Sequence, residues 1–235
     1  MITLAGHLDP PAVPRARCRG QVRKRMTLDQ RARWTGTVLS VQPRIRLTRS
    51  FDERSHTYLG FDLRLRGRLG RAECEFVVAI GKAAHAKHGY QVRNVPSGES
   101  EPVPDPRLEN ASLYRSTRLR LLHLPELPSA PPPPRHDPPP NLETYRARGH
   151  RRLGAHTYES ECLSYIWGCR MPVEMLIDPW DSTFKHRFET FCYGPKSCPL
   201  YRAGPTRKVP GRKGMVYEEE DWVDEGATSH RPPDE

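Results

Sequence analysis

The chain has 235 residues, with 38 Lys and Arg against 28 Asp and Glu, a formal net charge of +10. Apolar residues make up only 36% and prolines number 25, which argues for small folded units joined by polar segments rather than one large core. No run approaches the roughly 18 apolar residues of a membrane-spanning helix, and the opening MITLAGHLDPPAV carries neither the basic nor the apolar stretch of a secretory leader, so a cytoplasmic protein is expected.

The charge is unevenly placed. Residues 1–33 carry eight basic and two acidic groups, residues 34–125 fifteen and nine, and residues 126–150 three of each. Residues 151–215 carry eleven and six, and residues 216–235 one and eight. A basic body suits a polyanion, because each neutralised phosphate releases counterions. Of the cations, 31 are Arg and 7 Lys, a bias that genome base composition can also produce.

Residues 1–30 mix Pro10, Pro11 and Pro14 with scattered arginines and show no apolar period, which predicts a disordered basic arm. Met26 opens the first stretch that reads as folded and is a candidate start; a chain beginning there would carry about +5.

Residues 31–124 read as a small β-barrel. The first strand, 34–49, contains Gly36 and Pro43 and is expected to bend or bulge. In 57–67, Leu59, Phe61, Leu63 and Leu65 alternate with Gly60, Asp62, Arg64 and Arg66, a period of two with one face buried. In 72–81, Cys74, Phe76, Val78 and Ile80 share a face opposite Glu73 and Glu75, and Gly67 and Gly70 mark a hairpin turn between the two runs. A short helix is expected over 82–89, then strands over 90–95 and 113–122. His85 and His88 on that helix read as surface histidines rather than a metal pair. The wet faces carry Arg44, Arg46, Arg64, Arg66, Arg118 and Arg120, with Tyr58 and Tyr114 among them. Single-strand binders use such a mixture, cations following the backbone and rings stacking on bases. Charged side chains also suit any exposed strand position. The loop 49–56 holds Phe51, a stacking ring or a loop anchor.

Five strands, a bent first strand and a helix between the third and fourth resemble an OB-fold, over residues 34–122 and in the phrases GTVLSV and GYQVRNVPSGE. The resemblance implies a five-stranded Greek-key barrel of the kind that binds oligonucleotides.

Residues 125–140 hold nine prolines in sixteen residues, a linker that as polyproline II would reach on the order of 50 Å. It is read as a spacer, with a ligand for a protein partner as the alternative. Residues 141–214 form the second expected unit, loop-rich and aromatic. Four cysteines fall there, Cys162, Cys169, Cys192 and Cys198, as C-x6-C, 22 residues, then C-x5-C. In a reducing compartment they suggest a metal staple for a small core. The gaps are longer than a zinc knuckle uses. They resemble the first and last gaps of the cluster loop in endonuclease III-type DNA glycosylases, a likeness of ligand spacing that brings no glycosylase activity. A [4Fe–4S] cluster, Zn²⁺ and unliganded thiols all remain open.

In GPTRKVPGRKG, Arg207, Lys208, Arg212 and Lys213 offer a phosphate contact or a plain basic loop, without the Walker pattern. Glu174, Asp178 and Asp181 read as an acidic turn before a cation site, and His186 as a surface histidine. No nucleophile, zincin or deaminase motif is present. The acidic segment 215–235 is expected either to fold back onto the basic surface or to stay solvated, and is a second candidate contact for a protein partner. The whole pattern resembles bacterial OB-domain proteins of unassigned activity. The expectation is a mainly β nucleic-acid-binding protein with an OB-like barrel and a four-cysteine metal unit. Its alternative is an iron–sulfur redox or regulatory protein whose barrel binds another protein.

Overall fold

The structure, a computed structural model, describes residues 31–51, 53–123 and 138–233. The expected N-terminal arm and most of the proline-rich linker lie outside these residues. The described part is mainly β. Strand β1 (Ala32–Arg49) is followed by β2 (Arg54–Leu69), β3 (Ala72–Gly81), helix α1 (Lys82–His88), β4 (Val95–Pro102) and β5 (Leu113–His123). These five strands close into a ring, β1–β2–β3–β5–β4–β1, with β3 and β5 parallel and the other pairs antiparallel.

Period-two burial builds the ring's core, as the sequence leads one to expect. Phe61, Leu63, Leu65, Phe76, Val78 and Ile80 are buried together with Trp34, Val38 and Leu113. Each such side chain contributes about 1.5–3 kcal/mol by leaving water. Two bulges change the parity. The β1–β2 ladder slips between Val38 and Ser40, so Leu39 is an extra residue. Inward positions are Ala32, Trp34 and Val38 before it, and Val41, Ile45 and Leu47 after it. A second slip between Arg44 and Ile45 leaves Leu59 as the extra residue of β2. Leu59 is therefore not on the face of Phe61, and Tyr58, expected on the wet face, turns inward against the core. Gly60 sits at this bulge with φ +144°, where a Cβ would lie 2.1 Å from the Ile80 carbonyl oxygen. No L side chain fits there.

The fourth strand starts where the sequence reading ended it, at Val95 rather than Tyr90. Its inward positions are Pro96, Gly98 and Ser100, so it carries no apolar alternation to read. Small residues are required: a Cβ on Gly98 would meet the Trp34 ring at 2.8 Å. The Trp34 indole N–H donates to Ser100 Oγ at 2.7 Å, which satisfies a buried polar group on each side.

The second half is not loop-rich. Helix α2 (Leu142–Arg148) begins at Asn141, whose side chain accepts from the Thr144 amide at 2.8 Å. It buries Leu142 and Tyr145. Strand β6 (Arg151–Arg152), a short helix α3 (Ala155–Thr157) continuing into a π-turn, and a long hairpin of β7 (Gly168–Asp178) and β8 (Thr183–Cys192) follow. The end of β1 pairs in parallel with β7, Leu47 to Val173 and Arg49 to Met175, so the hairpin extends the same sheet. One core cluster runs from Trp34 through Ile45 to Val173, Phe191 and Tyr145. A small hairpin of β9 (Arg207–Pro210) and β10 (Val216–Glu219) and helix α4 (Asp221–Thr228) complete the chain order. No helix among the described residues is long and apolar enough to cross a membrane.

Replacing Gly60 by Ala should cost roughly 2 kcal/mol or more in urea denaturation, because both the backbone conformation and the space forbid a Cβ. An unchanged midpoint would mean that the bulge does not need its glycine.

Candidate nucleic-acid interface

Most of the cations expected to face a nucleic acid from the ring are held by carboxylates. Arg44 and Arg46 share Glu109, at 2.6 and 2.9 Å. Arg64 and Arg66 share Glu75, at 2.5 and 2.7 Å, and these two guanidinium groups hold its carboxyl below the usual range against the opposing effect of burial. Arg118 pairs with Glu99 at 3.1 Å. Arg120 is exposed and pairs with no carboxylate among the described residues. Tyr58 is covered by the Arg146 guanidinium, 4.9 Å from its ring centre, and Tyr114 by Arg115 at 5.1 Å. These pairs cancel much of the field that the sequence promises.

A different group of residues converges where the β1–β2 loop meets the β9–β10 hairpin. Phe51 packs edge-on to Tyr217, with centroids 6.1 Å apart, and its ring fills the space where Gly211 would carry a Cβ. Together with Val209 and Trp222 they line a cleft of about 410 Å³ whose polar wall is Arg49, Ser50, Glu53, Arg54 and Glu219. Trp222 is 60% exposed, at the start of α4. The adjoining hairpin tip holds the sequence-predicted cations. Arg212 donates to Asp178 at 3.0 Å, Lys208 pairs with Glu218 at 2.9 Å, and Lys213 stands exposed on a left-handed turn. Arg207 departs from expectation. It is buried beside Glu189 and over the Phe191 ring, and burial lowers its pKa. Two of the three turn acids are engaged: Glu174 bonds His186 at 3.2 Å, and Asp178 takes Arg212.

The acidic segment folds back, one of the two outcomes expected from the sequence. Glu219 sits between Arg49, which is only 4% exposed, and Arg54, at 3.0 and 2.7 Å. Asp224 and Asp221 hold Arg152, the most buried guanidinium of the core. Tyr217, Glu219 and Trp222 are thus walls of the cleft. Sequence reasoning named Phe51 but missed these three, because nothing in an acidic run marks it as structural.

The four cysteines do not meet at one point. In the β7–β8 ladder Cys169 stands opposite Phe191, and Cys192 opposite Gly168. Neighbouring strand residues face opposite sides. Cys169 therefore joins the main core, its thiol donating to the Pro43 carbonyl at 3.3 Å. Cys192 lies with Cys162, Leu153 and Tyr158 in a smaller cluster. Burial pushes the Cys162 thiol up to about 12, with Cys192 and Cys198 adding to the shift. Among the described residues no group of three or more His, Cys, Asp or Glu is placed to hold a metal ion. The donor set expected for a [4Fe–4S] cluster or Zn²⁺ does not fit this arrangement. His85, expected at the surface, is half-buried: its ring centre lies 3.9 Å from that of Phe61, and burial lowers its pKa to about 4.

No family model, curated protein or solved structure matches the chain.

The rings of His56 and His150 lie 4.7 Å apart, tilted at 60° to one another. Burial, then Arg54 and Arg49, lower the His56 pKa to about 4. Burial, then His56 and the nearby arginines, lower that of His150. Between pH ~6.5 and ~4 the unfolded chain binds the proton that the folded His56 refuses, so stability falls as pH falls, by roughly 3 kcal/mol for this group. Urea denaturation at neutral and acidic pH should show that loss, smaller in a His56→Phe variant; equal losses in both proteins would remove His56 as the cause. Alkylation of the native protein, mapped by mass spectrometry, should modify the half-buried Cys198 before Cys162 and Cys192, and Cys169 only in denaturant. Early labelling of Cys169 would contradict its place in the core.

Proposed function

We propose that this protein binds single-stranded nucleic acid, with the Phe51–Tyr217–Trp222 cleft as the centre of contact. The carrying observation is this cleft of exposed and half-buried rings, with Arg49 and Arg54 in its wall and the exposed Lys213 two residues beyond Gly211, against which Phe51 packs. Two further features support the reading. We read the ring of five strands, with its long bulged first strand and a helix between the third and fourth, as an OB-like barrel, a scaffold suited to oligonucleotides. Rings open to solvent next to cations suit unpaired bases, because every base has a face to stack and every phosphate a charge to neutralise. The contact surface differs from the one the sequence suggests. The ring-face arginines serve Glu75, Glu99 and Glu109, and the hairpin and α4 supply what they do not.

Fluorescence anisotropy with labelled single-stranded RNA and DNA of about ten nucleotides should show binding at low salt that weakens steeply as salt rises. Trp222→Ala should weaken it by about 1–3 kcal/mol. An Arg64→Ala, Arg66→Ala double variant should keep most of the affinity, since Glu75 already holds both groups. Absence of binding to either polymer at low salt would defeat the reading.

A further inference from the structure

The β7–β8 turn carries a side chain that packing does not explain. Trp180 is 80% exposed, the most exposed large apolar side chain among the described residues. Tryptophan is highly buried on average, so a ring held this open in a fixed turn is a candidate contact. The turn is also held in place. The Trp180 amide donates to Asp178 Oδ1 at 2.9 Å, while Asp178 Oδ2 accepts from Arg212 at 3.0 Å. Arg212 follows Gly211, against which Phe51 packs. A continuous rim therefore joins the cleft to Trp180: Phe51, the 211–214 turn, the Arg212–Asp178 pair, then Trp180.

The free charge along that rim is two lysines against one acid. Lys213 and Lys185 are exposed and pair with no carboxylate among the described residues. Lys185 stands opposite Met175 on the hairpin face whose Arg187 donates to the Lys208 carbonyl, the face that carries β9. Asp178 is neutralised by Arg212, which leaves Asp181 as the unpaired acid of the turn among the described residues. Phe184 pairs with Leu176 on the opposite face and does not belong to the rim.

We propose that Trp180 is a second stacking station for the same strand, so that a bound single-stranded polyanion runs from the cleft past Lys213 to Trp180. This rests on the nucleic-acid reading above and extends it to the length of the site. Phosphates between the two stations lie along Lys213 and Lys185, and the bases at either end stack on Trp222 and Trp180. Unpaired pyrimidine strands are the ligand class, because their bases are already free to turn out of a stack.

The test uses the full chain and a ladder of single-stranded pyrimidine oligonucleotides from about four to about sixteen nucleotides, the range of site sizes for such grooves. Trp180→Ala should lose roughly ten-fold or more in affinity for the longer strands and little for the shortest. Trp180→Phe should restore most of the loss, and Trp222→Ala should weaken every length. The exposed position predicts an unchanged melting temperature for both Trp180 variants. If Trp180→Ala matches the wild type at all lengths while Trp222→Ala weakens binding, the second station is wrong and the nucleic-acid reading stands. A loss equal at all lengths also overturns it, since both rings would then serve the same few nucleotides. If the wild type binds no strand, both fall. Should Trp180→Ala instead abolish binding to vesicles containing phosphatidylserine, or dissolve a dimer seen by sedimentation, with strand binding unaffected, the ring belongs to that partner and the proposal is overturned.

Discussion

The structure depends on a single strand that is used twice. Along one edge β1 pairs with β2 from Trp34 to Arg49; along the other it pairs with β4 over its first residues, closing the ring, and with β7 over its last three, carrying the second half of the chain. A strand of 18 residues can do this only if its buried side changes on the way, because side chains alternate strictly between faces. The extra residue at Leu39 makes that change. Trp34 and Val38 face the ring's interior from even positions, and Ile45 and Leu47 face the shared core from odd ones. The two halves thus have one sheet and one core.

The far end of β1 carries a charge into that core. Arg49 is buried, and burying a cation is tolerable only when it is paired and hydrogen-bonded. Glu219 supplies the pair, and so the acidic segment is anchored at the end of the strand it must neutralise. The segment that looks like a solvated tail by composition becomes a wall of the cleft. Two more of its acids, Asp221 and Asp224, do the same for Arg152. Exposed cations without a carboxylate partner among the described residues remain at several places, Arg68 and Arg71 at the β2–β3 turn and Lys82 and Lys87 on α1 among them. Function is proposed for the cleft end because exposed rings stand there as well.

Much of the ring was legible because its strands alternate cleanly. The β2–β3 hairpin, α1 and β5 follow from apolar period and turn residues. β4 was misplaced because its inner face is Pro96, Gly98 and Ser100, chosen for closeness to Trp34 and not for apolar area. The β7–β8 hairpin was missed because both of its faces carry mixtures: Glu189 is buried beside Phe191, and Phe184 is exposed. Of the site, Phe51 and the 204–214 cations were found. Trp222, Tyr217 and Trp180 were not singled out, since an aromatic residue in sequence carries no mark of exposure.

The sequence by itself determined the class of fold, the separation of basic and acidic regions and the positions of the tightest turns, because these follow from local period, composition and backbone freedom. Tertiary structure decided which charges remain available and which thiols meet. Both depend on strand parity and on partners distant in the chain. One residue of register sends Cys169 and Cys192 to opposite faces, one bulge turns Tyr58 inward, and a carboxylate 170 positions away takes up Arg49. Spacing along the chain contains none of these, since each is set by what lies across a sheet.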